Sequence, residues 1–433
     1  MASRLGNGKT WVANMVFCFF FFFFLSVHMN AGLDTVNNAT NNGVQGSSSQ
    51  KLEVENLLKK LNKPAAKSIK CPDGDIIDCV SLLKQPAFDH PKLRNHKIKM
   101  RPTFRPEEKT ISENSKTSSR SKPSIVQPWH QIGSCPKGTI PIRRTRKEDI
   151  LRASSIQQFG KKNLKTVPLP CPVKLSPILT CSGRQDAVVY VDGEKYYGGK
   201  ATINVWQPSV EKDEWSFSQI WAINDADIKN LDTIEAGWQV YPELYGDNTT
   251  RLFTYWTSDS YKSTGCYNLF CSGFVQLDAG IAVGGRILPI SVYGHSNSQY
   301  DITIMIWKDK SNGDWWLEFG DKVIGYWPSS LFPRLSDSAT YIQYGGEVVN
   351  RKPNGQHTTT QMGSGHFPSE DFGIASYFNN IKFINSQNQL MPLDYLVPVN
   401  DYSNCYDLKY DHDDNGWGNF FFYGGPGRNP NCP

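Results

Sequence analysis

Histidine is scarce in this chain: 8 in 433 residues, of which only His295, His357, His366 and His412 fall in the second half. No G-x-S-x-G stretch is present to lift a serine onto a strand-to-helix elbow. H-E-x-x-H and glycine-rich phosphate loops are absent as well. These absences remove the usual frames for serine hydrolases, zinc peptidases and nucleotide enzymes. Cysteine and histidine never meet at zinc-site spacing. The acidic stretch "DHDDNGWGN" (411–419) lacks the spacing and closing Glu of a calcium loop and reads as a solvated turn. No metal or cofactor is called for. Helical periodicity is nearly missing too. Only "KLEVENLLKKLNK" sets Val54, Leu57, Leu58 and Leu61 at i, i+3, i+4, i+7.

Long apolar runs occur once, at the start. Arg4 and Lys9 precede a run from Trp11 to Val27, too short to span a bilayer comfortably. This pattern predicts a signal peptide over residues 1–31 and a secreted product, extracellular or vacuolar. Disulfides are the default there. Of the 10 Cys, Cys18 leaves with the signal. Cys71–Cys79, Cys266–Cys271 and Cys405–Cys432 are spaced as local pairs, which leaves Cys135, Cys171 and Cys181 unassigned. Asn38 and Asn248 head glycosylation sequons.

Charge is unevenly placed. Residues 84–165 carry 20 Lys and Arg against 6 Asp and Glu, a net of +14, while residues 166–433 carry a net of −11. In a secreted chain, nucleic acid is a poor explanation for the basic segment. It is expected to lie on the acidic half of its own molecule, with residues 107–124 reading as a linker. From about residue 185, short β-branched and aromatic runs alternate with Gly, Asn, Asp and Ser. The prediction is an all-β antiparallel sandwich preceded by a small, partly helical and partly disordered segment.

Two of these strands carry a carboxylate in matching surroundings. In "TIEAGWQVYP" (233–242), Glu235 has Gly237 and Gln239 on its own face. In "YIQYGGEVV" (341–349), Glu347 has Gly345 and Gln343. A strand glutamate is ordinarily a solvated outward residue. Repeated with a glycine two positions away and an amide four away, it suggests a site. The small neighbours would admit a substrate backbone, and the amides could donate to an oxyanion. Trp238, Tyr255 and Tyr344 are candidate pocket walls.

Longer blocks make the sequence resemble the neprosin family of plant proteins, whose founding member is a secreted glutamic peptidase cleaving after proline. The resemblance rests on "CPDGDIIDCV", "QPAFDHPKLRNHKI" and "GSCPKGTIPIRRT" in the first half. In the second half it rests on "INVWQPSVEKDEWSFSQIW", "TIEAGWQVYPELYGDNTTRLFTYWTSD", "TGCYNLFCSGFVQ", "IGYWPSSLF" and "GGEVV" with "HTTTQMGSGHFP". It implies a removable pro-domain over residues 32–180 and a peptidase β-sandwich over 181–433. By motif, the family's catalytic pair falls on Glu235 and Glu347, and its disulfides on Cys266–Cys271 and Cys405–Cys432. Gln185-Asp186 stands where the family often has His, a departure expected to leave the glutamates untouched.

Such a protein would hydrolyse proline-containing proteins or peptides in acid. One glutamate would be ionised as base and the other protonated as acid, because like charges raise one pKa. The pro-domain would inhibit it intramolecularly. The proline-rich "TVPLPCPVKLSP" (166–177) would be a junction that the enzyme itself cuts. No membrane or nucleic-acid partner is expected after signal removal. The rival readings are a two-carboxylate glycosidase and a non-catalytic cell-wall-binding module, or an inactive relative.

Overall fold

A computed structural model describes residues 48–108, 125–162, 183–352, 355–393, 396–413 and 416–433. The signal segment, Asn38, Cys171, Cys181 and the 166–177 junction lie outside these residues.

The second half folds as two facing antiparallel sheets. One has six strands, ordered Val397–Asn400, Arg184–Val191, Tyr341–Val349, Ser216–Asn224, Asp232–Val240 and Arg251–Thr257. The other is larger and is built around Gly198–Asn204, Asp301–Lys308, Trp315–Phe319, Lys322–Trp327 and Ser376–Ile384. Side chains on a strand alternate between faces, and that alternation builds the core. Ala187, Val189, Ile220, Ala236, Trp238, Ile342 and Tyr344 from the first sheet meet Ile203, Ile302, Ile304, Ile306 and Phe378 from the second. The residues between them along each strand point the other way, so the six-stranded sheet carries a second face. That face is buried as well, under residues from the first part of the chain.

The first part holds a small sheet beside the expected helix. A helix covers Ser48–Leu61, and Val54 and Leu61 are its buried residues. A three-stranded sheet of Ala65–Lys70, Ile76–Ser81 and Thr139–Arg143 follows, which the reading of this region as helical and disordered missed. Its strands are only five or six residues long, too short for alternation to stand out. Glu107–Glu108, expected in a linker, pair in parallel with Gln389–Met391.

Disulfides join Cys266 to Cys271 and Cys405 to Cys432. The local pair Cys71–Cys79 is not formed: Cys79 is bonded to Cys135, and Cys71 is free. The hairpin register gives the reason. Lys70 pairs with Ile76 and Lys67 with Cys79, so Cys71 lies in the turn while Cys79 is well along the returning strand. Asn248 is exposed in the loop after the short helix Pro242–Tyr245. No helix among the described residues is long and apolar enough to cross a membrane.

Candidate active site

Glu235 and Glu347 stand on strands that are next-but-one neighbours in the six-stranded sheet, separated by Ser216–Asn224. On that middle strand Glu235 pairs with Trp221 and Glu347 with Phe217, so Gln219 lies between them. All three point to the face away from the inter-sheet core. Both glutamates are fully buried. One atom ties them together: Lys162 Nζ lies 2.9 Å from Glu235 Oε2 and 2.9 Å from Glu347 Oε2. The two carboxylate oxygens are therefore within twice that distance of each other. Lys162 belongs to the first part of the chain. Its ammonium also faces the rings of Phe217 and Tyr261, at 5.4 and 5.6 Å from their centroids.

The lysine is delivered by a segment shaped for close approach. Tyr267 N donates to Gly160 O at 2.8 Å, and Lys162 N donates to Tyr255 Oη at 3.3 Å. Gly160 has φ +72°, and a Cβ there would meet Phe270 Cβ at 2.6 Å, so only glycine lets the segment lie this near.

The two carboxylates have chemically different partners. Glu347 Oε1 accepts from Trp215 Nε1 at 3.2 Å, and its Oε2 from Gln219 Nε2 at 3.0 Å. Arg184 NH2 lies 3.5 Å from Glu347 Oε2. Glu235 Oε1 instead accepts from two hydroxyls, Tyr261 at 2.6 Å and Thr233 at 3.2 Å. Burial works to raise the Glu347 carboxyl, but the charges of Arg184 and Lys162, with bonds from Lys162 and Trp215, hold it below its ordinary value. Burial, and then the neighbouring Glu235, push the Tyr261 phenol far up, so it stays a donor. Tyr261 and its neighbour Ser260 have φ near +60°. A tight loop in which Asp259 accepts from Ser263 and Thr264 holds this strained backbone in place.

Arg184 is fully buried and stacks over Trp221 with its carbon 5.5 Å from the ring centroid. Its Nε donates to Asp186 at 2.9 Å. Asp186 is the cross-strand partner of Glu347, so the Gln185-Asp186 departure does touch the pair, contrary to expectation. Burial pushes Asp186 up to about 7 against the pull of Arg184, with Asp401 and Glu347 adding to the rise. Gln185 faces the other way, and its Oε1 accepts from His357 Nε2 at 2.6 Å.

Other expected site residues fall elsewhere. Trp238 and Tyr344 occupy the inter-sheet core, where they bond Asn204 O and Lys382 O at 2.9 Å. Even-numbered positions on these two strands face inward, so neither ring lines the site. Gln239 shares the Glu235 face but donates to Tyr245 Oη at 2.6 Å. Gln343 shares the Glu347 face and makes no hydrogen bond to either glutamate. The amide that reaches the pair is Gln219, which the sequence reading missed. Tyr255 is placed beside Glu235, its cross-strand partner. The glycines do not hold space for a substrate. A Cβ on Gly237 would sit 1.9 Å from Ser218 O, and one on Gly345 2.4 Å from Ala187 O. It is the neighbouring strands that require them.

The family model described as Neprosin matches residues 212–426, and one described as Neprosin activation peptide matches residues 68–190. The chain belongs to the neprosin family. It is a neprosin-family peptidase with its activation peptide attached, and Lys162 comes from that peptide. Among solved structures, it aligns with scytalido-glutamic peptidase bound to a peptide-based transition-state analogue. That match has 13% identity over 56% of this chain and 98% of that one, with a TM-score of 0.29. SCP-B, an eqolisin peptidase in complex with Ala-Ile-His, aligns at 12% identity over 56% and 96%, with a TM-score of 0.30. CG-16, a homodimeric agglutinin from chicken liver, aligns at 12% over 38% and 94%, with a TM-score of 0.22. Similarity at this level says nothing about chemistry.

Proposed function

We propose that the protein is a secreted glutamic endopeptidase, made as a zymogen, that hydrolyses peptide bonds after proline in acid through Glu235 and Glu347. One observation carries this reading: two buried carboxylates from separate strands converge on a single ammonium supplied by the activation peptide. A carboxylate pair this close needs a cation or a shared proton. With the lysine in place, one ammonium is shared by the pair and covers it. With the lysine gone, the pair takes up one proton and becomes an acid and a base.

The partners assign the roles. Trp215, Gln219 and Arg184 offer Glu347 only N–H groups, which require an acceptor, so Glu347 is the carboxylate and general base. Hydroxyls can donate or accept, so Tyr261 and Thr233 tolerate a protonated Glu235, which is the acid. Glu347 takes a proton from a water whose oxygen attacks the scissile carbonyl carbon. Glu235 gives its proton to the carbonyl oxygen as the tetrahedral intermediate forms. Collapse breaks the C–N bond: the amine leaves with the proton held by Glu347, and the hydroxyl made from the carbonyl oxygen returns its proton to Glu235 as the C=O re-forms. Arg184 and Gln219 are positioning residues that keep Glu347 charged and aimed.

The junction is assigned to residues upstream of Arg184. The activation-peptide model extends to residue 190, but Arg184–Val191 is an interior strand carrying Arg184 and Asp186. Cleavage beyond it would dismantle the sheet. The prolines of "TVPLPCPVKLSP" make the enzyme's own action the natural route. The test is to acidify the purified full-length precursor and read its products by mass. The matured protein is then offered a proline-containing peptide library and a panel of cell-wall glycans. The reading expects cuts after proline and intact glycans. Released sugars, or no cleavage of either class, would overturn it.

A further inference from the structure

Away from the glutamates, the activation peptide makes a second and different contact. Residues 96–108 cross the outer face of the larger sheet, the face opposite the inter-sheet core. Three adjacent strands place Trp307, Trp316 and Tyr326 in one row there: Trp307 pairs with Trp316, and Trp316 with Tyr326. The rings stack at 6.3 and 4.6 Å between centroids. Around this row stand Asp309, Asp314 and Glu318, none more than 2% exposed.

The crossing segment, "HKIKMRPTFRPEE" (96–108), meets this face through backbone and charge, with Ile98 packed against its aromatic cluster. His96 Nε2 and Lys99 N bond Tyr326 Oη at 2.7 and 3.0 Å. Lys99 Nζ pairs with Asp314. Thr103 N and Oγ1 donate to Asp309 at 2.6 and 2.7 Å. Arg105 grips Glu318 with Nε and NH2 at 2.7 and 2.6 Å. Trp307 Nε1 donates to Phe104 O at 3.0 Å. Phe104 itself is 41% exposed, and Met100 63%. The face therefore reads an extended main chain and two cations six residues apart. It does not read the apolar side chains at these two positions. Pro102 and Pro106 hold the segment extended.

When the activation peptide departs, this face loses the cations and hydroxyl bound to its three carboxylates and the backbone over its aromatic row; Asp309 and Asp314 keep bonds from Ser311, Asn312 and Ser329 of the sandwich. We propose that it then serves as a docking site for a second polypeptide: an extended, proline-containing chain with Lys or Arg at about the same spacing. A substrate of that kind would be held by its flank while another stretch enters the cleft. The inference rests on the reading that the activation peptide is removed. It does not depend on which residues cleave the bond.

The test is a binding measurement in the full-length chain. Lys99→Glu with Arg105→Glu lifts the crossing segment off its carboxylates, and Arg105→Ala alone is a milder variant that guards against misfolding. The probes are the synthetic peptide of residues 97–108, an unrelated proline-containing peptide with Lys and Arg six apart, a copy with both cations changed to Glu, and a xylan oligosaccharide. Both basic peptides are expected to quench tryptophan emission in the lifted chains and not in the wild type. Their affinity should fall at least tenfold on adding Glu318→Gln with Asp314→Asn, and also fall as salt is raised. The acidic copy and the sugar should not bind. If neither basic peptide binds, if only the 97–108 sequence binds, or if the sugar binds in their place, the proposal fails. No step requires cleavage, so a failure here leaves the glutamate reading untouched, and the reverse also holds.

Discussion

Lys162 holds two carboxylates with one charge, and its removal has a calculable direction. Breaking a buried ion pair by deleting one partner costs about 3–5 kcal/mol, because the remaining charge is stranded. Lys162→Met should therefore loosen the activation peptide. The precursor is expected to mature at a pH nearer neutrality than the wild type, as followed by gel or mass across a pH series. Maturation at an unchanged pH would show that the lysine is not what holds the pair closed. At this scale the sequence revealed the two glutamates, because each repeats the same neighbours at the same spacing. It concealed their partners. Gln219 and Arg184 come from other strands, Trp215 from just before one, Tyr261 from a strained loop, and Lys162 from a distant segment. None has a local pattern, and only the sheet register brings them together.

The strands show why the glycines beside the glutamates were misread. Gly237 lets Ser218 O come to where a side chain would stand, so the sheet closes tightly at the strand that carries Gln219. Gly237→Ala is expected to destabilise the fold by at least about 2 kcal/mol through backbone displacement, seen as a lowered thermal midpoint. An unchanged midpoint would mean that the strand can shift freely. Strand alternation was legible in the sequence and gave the sandwich. Alternation also separated the glutamate face from the apolar one, but that both faces of this sheet are buried was not legible. Trp238 and Tyr344, weighed as pocket walls against the commoner role of core rings, lie on the core side. The three strands of the activation peptide were missed because none is longer than six residues, too few for alternation to stand out.

Across the whole molecule, the charge asymmetry of the sequence resolves into specific contacts. On the back face Lys99 and Arg105 meet Asp314 and Glu318. Elsewhere the polarity is reversed: Asp75 of the activation peptide bonds Arg143 at 2.8 Å and reaches Arg251 of the sandwich at 2.6 Å. Burial opposes ionisation of Asp75, but Arg251 and Arg143 bring its carboxyl below the ordinary value of 3.8. Asp75 and Glu347 are both depressed carboxylates. Each contributes stability above its ordinary value and loses it as pH falls through the depressed one. Both therefore predict a precursor that loosens in acid, below the usual carboxylate range. Asp75→Ala removes this bridge, leaves Arg251 with Asp247 as its carboxylate partner, and should weaken the hold of the activation peptide on the sandwich. Limited proteolysis is expected to release it at a pH where the wild type resists. Equal resistance would place the hold elsewhere.

The measurement that bears most directly on the glutamate pair is the rate at which acid-treated chain cleaves a proline-containing peptide, compared among wild type, Glu235→Gln and Glu347→Gln. Each substitution keeps the side chain's size and removes its acid–base function. The account predicts that both variants fold and that each loses about 100- to 10,000-fold in rate. If either variant cleaves as fast as the wild type, the pair is not the catalytic apparatus.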